Sequence, residues 1–314
     1  MAKEATTEEE RQSYSLPPCI SQPYPWLVIS HGKYNQRQTF FSVSQHRYYT
    51  KIIPEMRNKL ICGSSFGWLV LVDRVSPNCF LLNLSSMETI QLPPLNFKLA
   101  IGILTAPPSD PNCRILLIDG NHDFIFCSPG DSEFSKQKVE DFLYSMTTLG
   151  GKIYCLTLPE YSLLTMEFEG SSLRFTKLNT IRNESNIFHI EDNRSYLIEF
   201  FGEMLLVCKY LSLKSFEWTH DIGVFKFDFC GREWVEVKSI GDNAIFLTDD
   251  FYGTCYPVVD SITRNSIYYT YSEDKNLYVY DLEDQSITTH LPCPIVSRPC
   301  SLHYWCMLST ANTS

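Results

Sequence analysis

Five side chains near the C-terminus, His290, Cys293, Cys300, His303 and Cys306, are of the kinds that hold zinc. Structural zinc sites usually draw paired ligands from C-x-x-C-like spacings, and no C-x-x-C occurs in the chain. On a strand, Cys300 and Cys306 would share one face while His303 points to the other. Ordinary buried thiols on a closing strand are the reading adopted, and no metal is expected. Ser65 sits in the segment GSSFG (63–67), a formal match to the G-x-S-x-G elbow of serine hydrolases. That elbow needs a helix after the serine, whereas WLVLVD from Trp68 reads as a strand; glycines at a tight turn account for the same residues. Asp119 with Asp123, or Asp249 with Asp250, could supply an acid/base pair. Aspartates also dominate turns because they satisfy nearby backbone amides, and turn chemistry is the expectation here. Trp26, Trp68, Trp218, Trp234 and Trp305 could line a groove, but such residues more often fill core space. No phosphate loop, dinucleotide fingerprint or EF-hand loop is present. The sequence therefore predicts no catalytic residue, no cofactor and no metal.

The elements that carry these residues read as strands. Of 314 residues, 44% are hydrophobic and 20% charged, which suits a folded chain with a large core. With 18 Tyr, 20 Phe and 5 Trp, the composition favours half-buried pleated surface over helix. A formal charge of −10 without a Lys/Arg cluster argues against nucleic acid as a ligand. No apolar run approaches the ~18 residues of a membrane span. The opening MAKEATTEEERQ is acidic where a signal or transit peptide would be basic. The expected compartment is the cytoplasm and/or nucleus, with the twelve cysteines as reduced thiols. The N-x-S/T matches at Asn83, Asn183 and Asn312 would be idle there.

Residues 1–23, polar and then proline-punctuated, read as a disordered arm. From Trp26 onward, short apolar or alternating runs follow one another, among them WLVIS at 26, GWLVLVD at 67, KIYCLTL at 152, MLLVCKY at 204 and LYVYDL at 277. The best helical segment is KQKVEDFLYSM at 136–146. One unit recurs: an apolar-x-apolar strand, a polar turn and a second short strand. Its last apolar residues before the turn are Val43, Leu84, Phe126, Phe168, Phe229 and Leu282, at steps of 41, 42, 42, 61 and 53 residues. Propeller blades take ~40–50 residues, so the two long steps call for insertions around 180–200 and 250–264. The reading is an all-β propeller of six blades, each of about four strands, over residues 24–308, with a tail at 309–314. SLHYWCML (301–308) would close the ring beside WLVIS, since an open edge invites aggregation. A double β-sandwich is the competing architecture.

PYPWLVI (23–29), GSSFGWLVLVD (63–73), LLNLSSMETIQLPPL (81–95), VFKFDFCGREWVEVKSIGDNAIFL (224–247) and NSIYYTYSEDKNLYVYDLE (265–283) together resemble the plant F-box-associated propeller of the KIB type. That resemblance implies a propeller that holds a partner protein, in relatives a substrate of a ubiquitin ligase recruited through an F-box. This chain departs from the pattern in showing no F-box-like stretch before the propeller, and in Phe134 where a tryptophan is expected. A partner protein is thus expected, with no nucleic acid, no membrane and no direct binding of a Skp1-type adaptor.

Overall fold

The computed structural model describes residues 22, 24–95, 100–119, 123–158, 161–170, 172–178, 193–211, 219–248, 252–258, 262–271, 276–291 and 302–308. The first blade contains β1 (Trp26–His31), β2 (Arg37–Ser42) and β3 (Arg47–Ile52). The second is β4 (Lys59–Ser65), β5 (Trp68–Asp73), β6 (Cys79–Asn83) and β7 (Thr89–Leu92). The third is β8 (Ala100–Leu104), β9 (Ile115–Asp119), β10 (Phe124–Cys127) and β11 (Ser135–Gln137). The fourth is β12 (Phe142–Leu149), β13 (Lys152–Leu158), β14 (Ser162–Glu169) and β15 (Ser172–Leu178). The fifth is β16 (Asn193–Phe200), β17 (Glu203–Leu211), β18 (Thr219–Asp228) and β19 (Glu233–Glu236). The sixth is β20 (Asn243–Leu247), β21 (Gly253–Pro257), β22 (Ser266–Thr270), β23 (Leu277–Asp281) and β24 (Ile287–His290). Finally β25 (Leu302–Cys306) pairs with β1, Leu27 opposite Trp305, and completes blade one with the order β25-β1-β2-β3. The predicted closure by the C-terminal strand is therefore what the chain does.

The repeat has a local cause. Val43, Leu84, Phe229 and Leu282 each follow directly on the strand whose end they mark, while Phe126 and Phe168 are the last residue but one of β10 and β14. In three blades the residue before the marker caps the hairpin with its own side chain. Asn83 Oδ1 accepts from the Ser85 amide at 2.9 Å, Asp228 Oδ1 from Cys230 at 2.9 Å and Asp281 Oδ1 from Glu283 at 2.8 Å. Such Asx turns reverse the chain at a fixed offset, which is why the apolar markers recur. The Asn83 side chain is thus part of its own turn.

Six apolar clusters lie one at each seam between neighbouring blades, including Leu27, Phe41 and Trp305 against Phe246 and Tyr268 where blade one meets blade six. A sandwich would have a single core between two sheets; a ring of seams is a propeller. Trp26, Trp68, Trp234 and Trp305 all belong to these seams, and each buried side chain of this size contributes roughly 2 kcal/mol or more. Trp218 lies outside the described residues.

Blade six corrects the four-strand expectation. Its order is β21-β20-β22-β23-β24, with β20 and β22 parallel. The extra hairpin strand falls within the insertion expected at 250–264; residues 179–192, which hold most of the other, lie outside the described residues. The segment 136–146 is not helical: it ends β11 and begins β12. Close approach of a neighbouring backbone sets Gly63 on the inner ring. A Cβ on Gly63 would fall 1.8 Å from the Gly102 carbonyl oxygen, so β4 and β8 touch without room for a side chain. Gly63→Ala is expected to cost about 3 kcal/mol or more, because backbone rather than a flexible side chain would have to move. Urea unfolding of that variant at an unchanged midpoint would show that the two strands can separate freely.

Candidate functional site: the mouth of the central channel

The inner strands of neighbouring blades lie side by side. Ser65 Oγ accepts the Leu104 amide at 3.2 Å across the second and third blades, and Ser145 Oγ accepts the Leu197 amide at 3.1 Å across the fourth and fifth. Both hydroxyls fasten neighbouring blades. Ser65 is the last residue of β4 and is followed by the turn Phe66-Gly67 and strand β5, so the strand-turn-helix elbow is absent there.

Where β4, β8, β12 and β16 end and β21 begins, they surround a cavity of about 440 Å³. Its described lining offers hydroxyls from Ser65, Thr105, Thr147, Thr148 and Thr254, together with one charged side chain, Glu199. Glu199 is exposed, and its Oε1 accepts the Gly202 amide at 2.8 Å. Burial pushes the Cys255 thiol up to about 12, with Glu199 adding to the rise, so no thiolate forms at neutral pH. Deeper in the channel, Tyr252 lines both this cavity and a small one of about 30 Å³ that His303 also lines.

The other residues singled out by the sequence do not converge. Asp123 is buried and paired with Lys136 at 2.9 Å, Asp119 ends β9, and Asp249 and Asp250 lie outside the described residues. His290 is exposed at the end of β24, 6.2 Å between ring centroids from His46. Cys306 is buried on β25, its thiol pushed up to about 12 by desolvation; Cys293 and Cys300 lie outside the described residues. Among the described residues, no group of three His, Cys, Asp or Glu side chains is placed to hold a metal ion.

Residues 40–284 match the KIB1-4 beta-propeller family. The chain belongs to that family. An F-box/kelch-repeat protein of Arabidopsis thaliana is similar to this KIB1-4 propeller, with 24% identity over 276 residues, 83% of this chain and 75% of the relative. A putative F-box protein of the same plant is 32% identical over 168 residues, covering 49% of this chain and 42% of its own length. A further Arabidopsis F-box protein is 28% identical over 182 residues, covering 52% and 53%. The chain thus spans three quarters of the first relative but only 42% and 53% of the other two. Among the described residues, no helix is long and apolar enough to cross a membrane.

The rim of this KIB1-4 propeller carries a feature that sequence reading did not single out. Three of its inner hairpins turn on two residues with positive φ: Phe66-Gly67 (53°, 77°), Gly150-Gly151 (57°, 76°) and Phe201-Gly202 (47°, 84°). Turns of this kind suit Asn-Gly, because a left-handed backbone costs most L-residues roughly 1–2 kcal/mol. Phe66 and Phe201 accept that strain and are nevertheless 52% and 59% exposed. The legible signal was the repeated Phe-Gly between two strand-like runs. Phe66→Asn is expected to raise stability by about 1 kcal/mol, visible as an increase of ~2 °C in thermal midpoint. A lowered midpoint would mean that the exposed ring is held by packing.

Proposed function

We propose that this chain is a protein-interaction module whose channel-mouth face holds a partner protein, and that it carries out no covalent chemistry. The observation that supports this most is the lining of the mouth: hydroxyls and backbone around one carboxylate, itself engaged by its own hairpin. Hydrolysis by acid/base catalysis needs a second titratable group poised nearby, and nucleophilic catalysis needs an activated Ser or Cys. Ser65 instead fastens two blades, and the Cys255 thiol is held protonated by burial. Rigid blades presenting short hairpins are the usual means by which a scaffold positions recognition groups. The F-box names of the relatives point to substrates or regulators of ubiquitin-ligase pathways as the partner class. In this reading, residues 1–23 serve as an arm and the propeller does the binding, in the cytoplasm or nucleus. A Skp1-type adaptor is expected not to bind the purified chain directly, and micromolar or tighter association that is lost on removing residues 1–23 would overturn this.

A photo-crosslinker placed at Gly150, on the rim, tests the face. It is expected to capture a defined protein from native tissue, and that protein, purified, should then bind the full chain, and bind the chain carrying Phe66→Asn with Phe201→Asn only weakly or not at all. A crosslinker at Val75, 83% exposed beyond the far end of β5, should not capture it. Equal yields from both positions would defeat the assignment of the binding face.

A further inference from the structure

We infer that the channel mouth recognises a basic side chain, lysine or arginine, on an extended partner segment whose flanking apolar residues rest on Phe66 and Phe201. This rests on the reading that the mouth face binds a partner, and adds the chemistry of what enters it. Phe66 belongs to blade two and Phe201 to blade five, three places apart in a ring of six, so they stand on opposite sides of the mouth. The Gly150-Gly151 turn of blade four, lying between them along the rim, presents no side chain that would obstruct a crossing segment. Both rings keep costly left-handed backbones while exposed, a pattern expected where binding rather than stability retains a residue.

Charge decides what lies between the rings. Glu199 is the sole charged side chain of the described lining, and no described cation competes for it. Its Oε1 is committed to the Gly202 amide, so Oε2 can accept from an incoming ammonium or guanidinium. The hydroxyls of Thr147, Thr148 and Thr254 supply further acceptors around it. The chain as a whole carries −10, which raises the local concentration of basic segments and repels acidic ones. Exposed phenylalanine rings favour cations over anions for the same electrostatic reason.

The test is selection of random heptapeptides displayed on phage against the immobilised full chain, followed by affinity measurement of the selected peptides in solution. The expected peptides carry a central Lys or Arg flanked by apolar residues. Glu199→Gln, which keeps an acceptor for the Gly202 amide, should weaken them about fivefold, and charge reversal of the basic residue should weaken them further. Phe66→Asn with Phe201→Asn should weaken them at least about tenfold while leaving the thermal midpoint unchanged or higher. Peptides that need the two rings but carry no basic residue, or that ignore Glu199→Gln, would overturn the cation and leave the binding face standing. Peptides indifferent to all three positions, or no selection above background, would overturn both.

Discussion

Replacing Lys209 by methionine is expected to stabilise the propeller at pH 7 by up to about 4 kcal/mol. Lys209 lies on β17 at the seam between blades five and six, fully buried. Its ammonium faces Tyr269 and Tyr271, each 4.6 Å from nitrogen to ring centroid, and Tyr196 at 5.9 Å. Nζ makes no hydrogen bond to a described residue, and the residue opposite on β16 is Arg194, a like charge. Desolvation first, and Arg194 second, pull the ammonium down to about 7. Ring contacts return about 1–2 kcal/mol, less than the cost of burying an unpaired ion.

The unfolded lysine keeps its proton to about pH 10.4, so between 7 and that value the unfolded chain binds more protons than the folded one. Stability owed to this group therefore rises with pH, by about 1 kcal/mol from pH 7 to 8, and the penalty it imposes is largest at and below 7. Buried thiols act in the opposite sense. Cys79, Cys208 and Cys306, each pushed up to about 12 by burial, contribute stability that is present below about pH 8.5 and lost as pH rises beyond it. The informative quantity is thus the difference between the parent chain and Lys209→Met in urea midpoint at pH 7 and pH 8. Methionine matches lysine in length and packs well against aromatic rings. A variant no more stable than the parent, or one with the same pH slope, would mean that Lys209 is solvated in the folded chain.

Trp305→Ala is expected to destabilise by about 4 kcal/mol, and deletion of residues 298–314 to leave the chain insoluble. The Trp305 ring packs edge-on against Phe246 with centroids 4.8 Å apart, and its indole N–H donates to the Leu247 carbonyl at 3.0 Å. The alanine variant would lose the ring from the seam between blades one and six and orphan a buried acceptor. Deletion goes further: β1 loses its inner partner, exposing the backbone that now pairs with residues 302–306. Ile287→Ala on the outer strand β24, partly exposed, should change stability by no more than about 0.5 kcal/mol and serves as the control. A truncated chain that melts like the full one would rule out ring closure by the tail.

Much of the ring could be read from local signals. The apolar markers recur because Asn83, Asp228 and Asp281 cap their own hairpins, an interaction confined to a few residues and hence written in the sequence. The GSSFG turn was legible for the same reason: a strand follows it, and two adjacent positions accept positive φ. Strand β8 was not legible, since Gly102 weakens its pattern. A Cβ on that glycine would fall 2.4 Å from a methyl of Leu117 on β9, and its carbonyl oxygen in turn leaves no room for a side chain at Gly63, nearly forty residues earlier. Lys209 carried a partial signal, sharing strand parity with the buried Leu205, Val207 and Leu211. What parity could not reveal is that three tyrosines of blades five and six and, among the described residues, no carboxylate would meet it.

The sequence by itself determined most of the strands and their turns, the number of blades and the strand that closes the ring, because each follows from alternation, turn chemistry or a repeat length. Tertiary structure alone decided that β21 slips inside β20, leaving β20 and β22 parallel, since several apolar runs of similar length could have paired in either order. It also decided the mouth. Ser65, Thr147, Glu199 and Thr254 come from four blades, and only the closure of the ring brings their strand ends around one cavity. Contacts between residues so far apart along the chain leave no periodic trace in it, because they depend on how whole blades pack rather than on any neighbour's side chain.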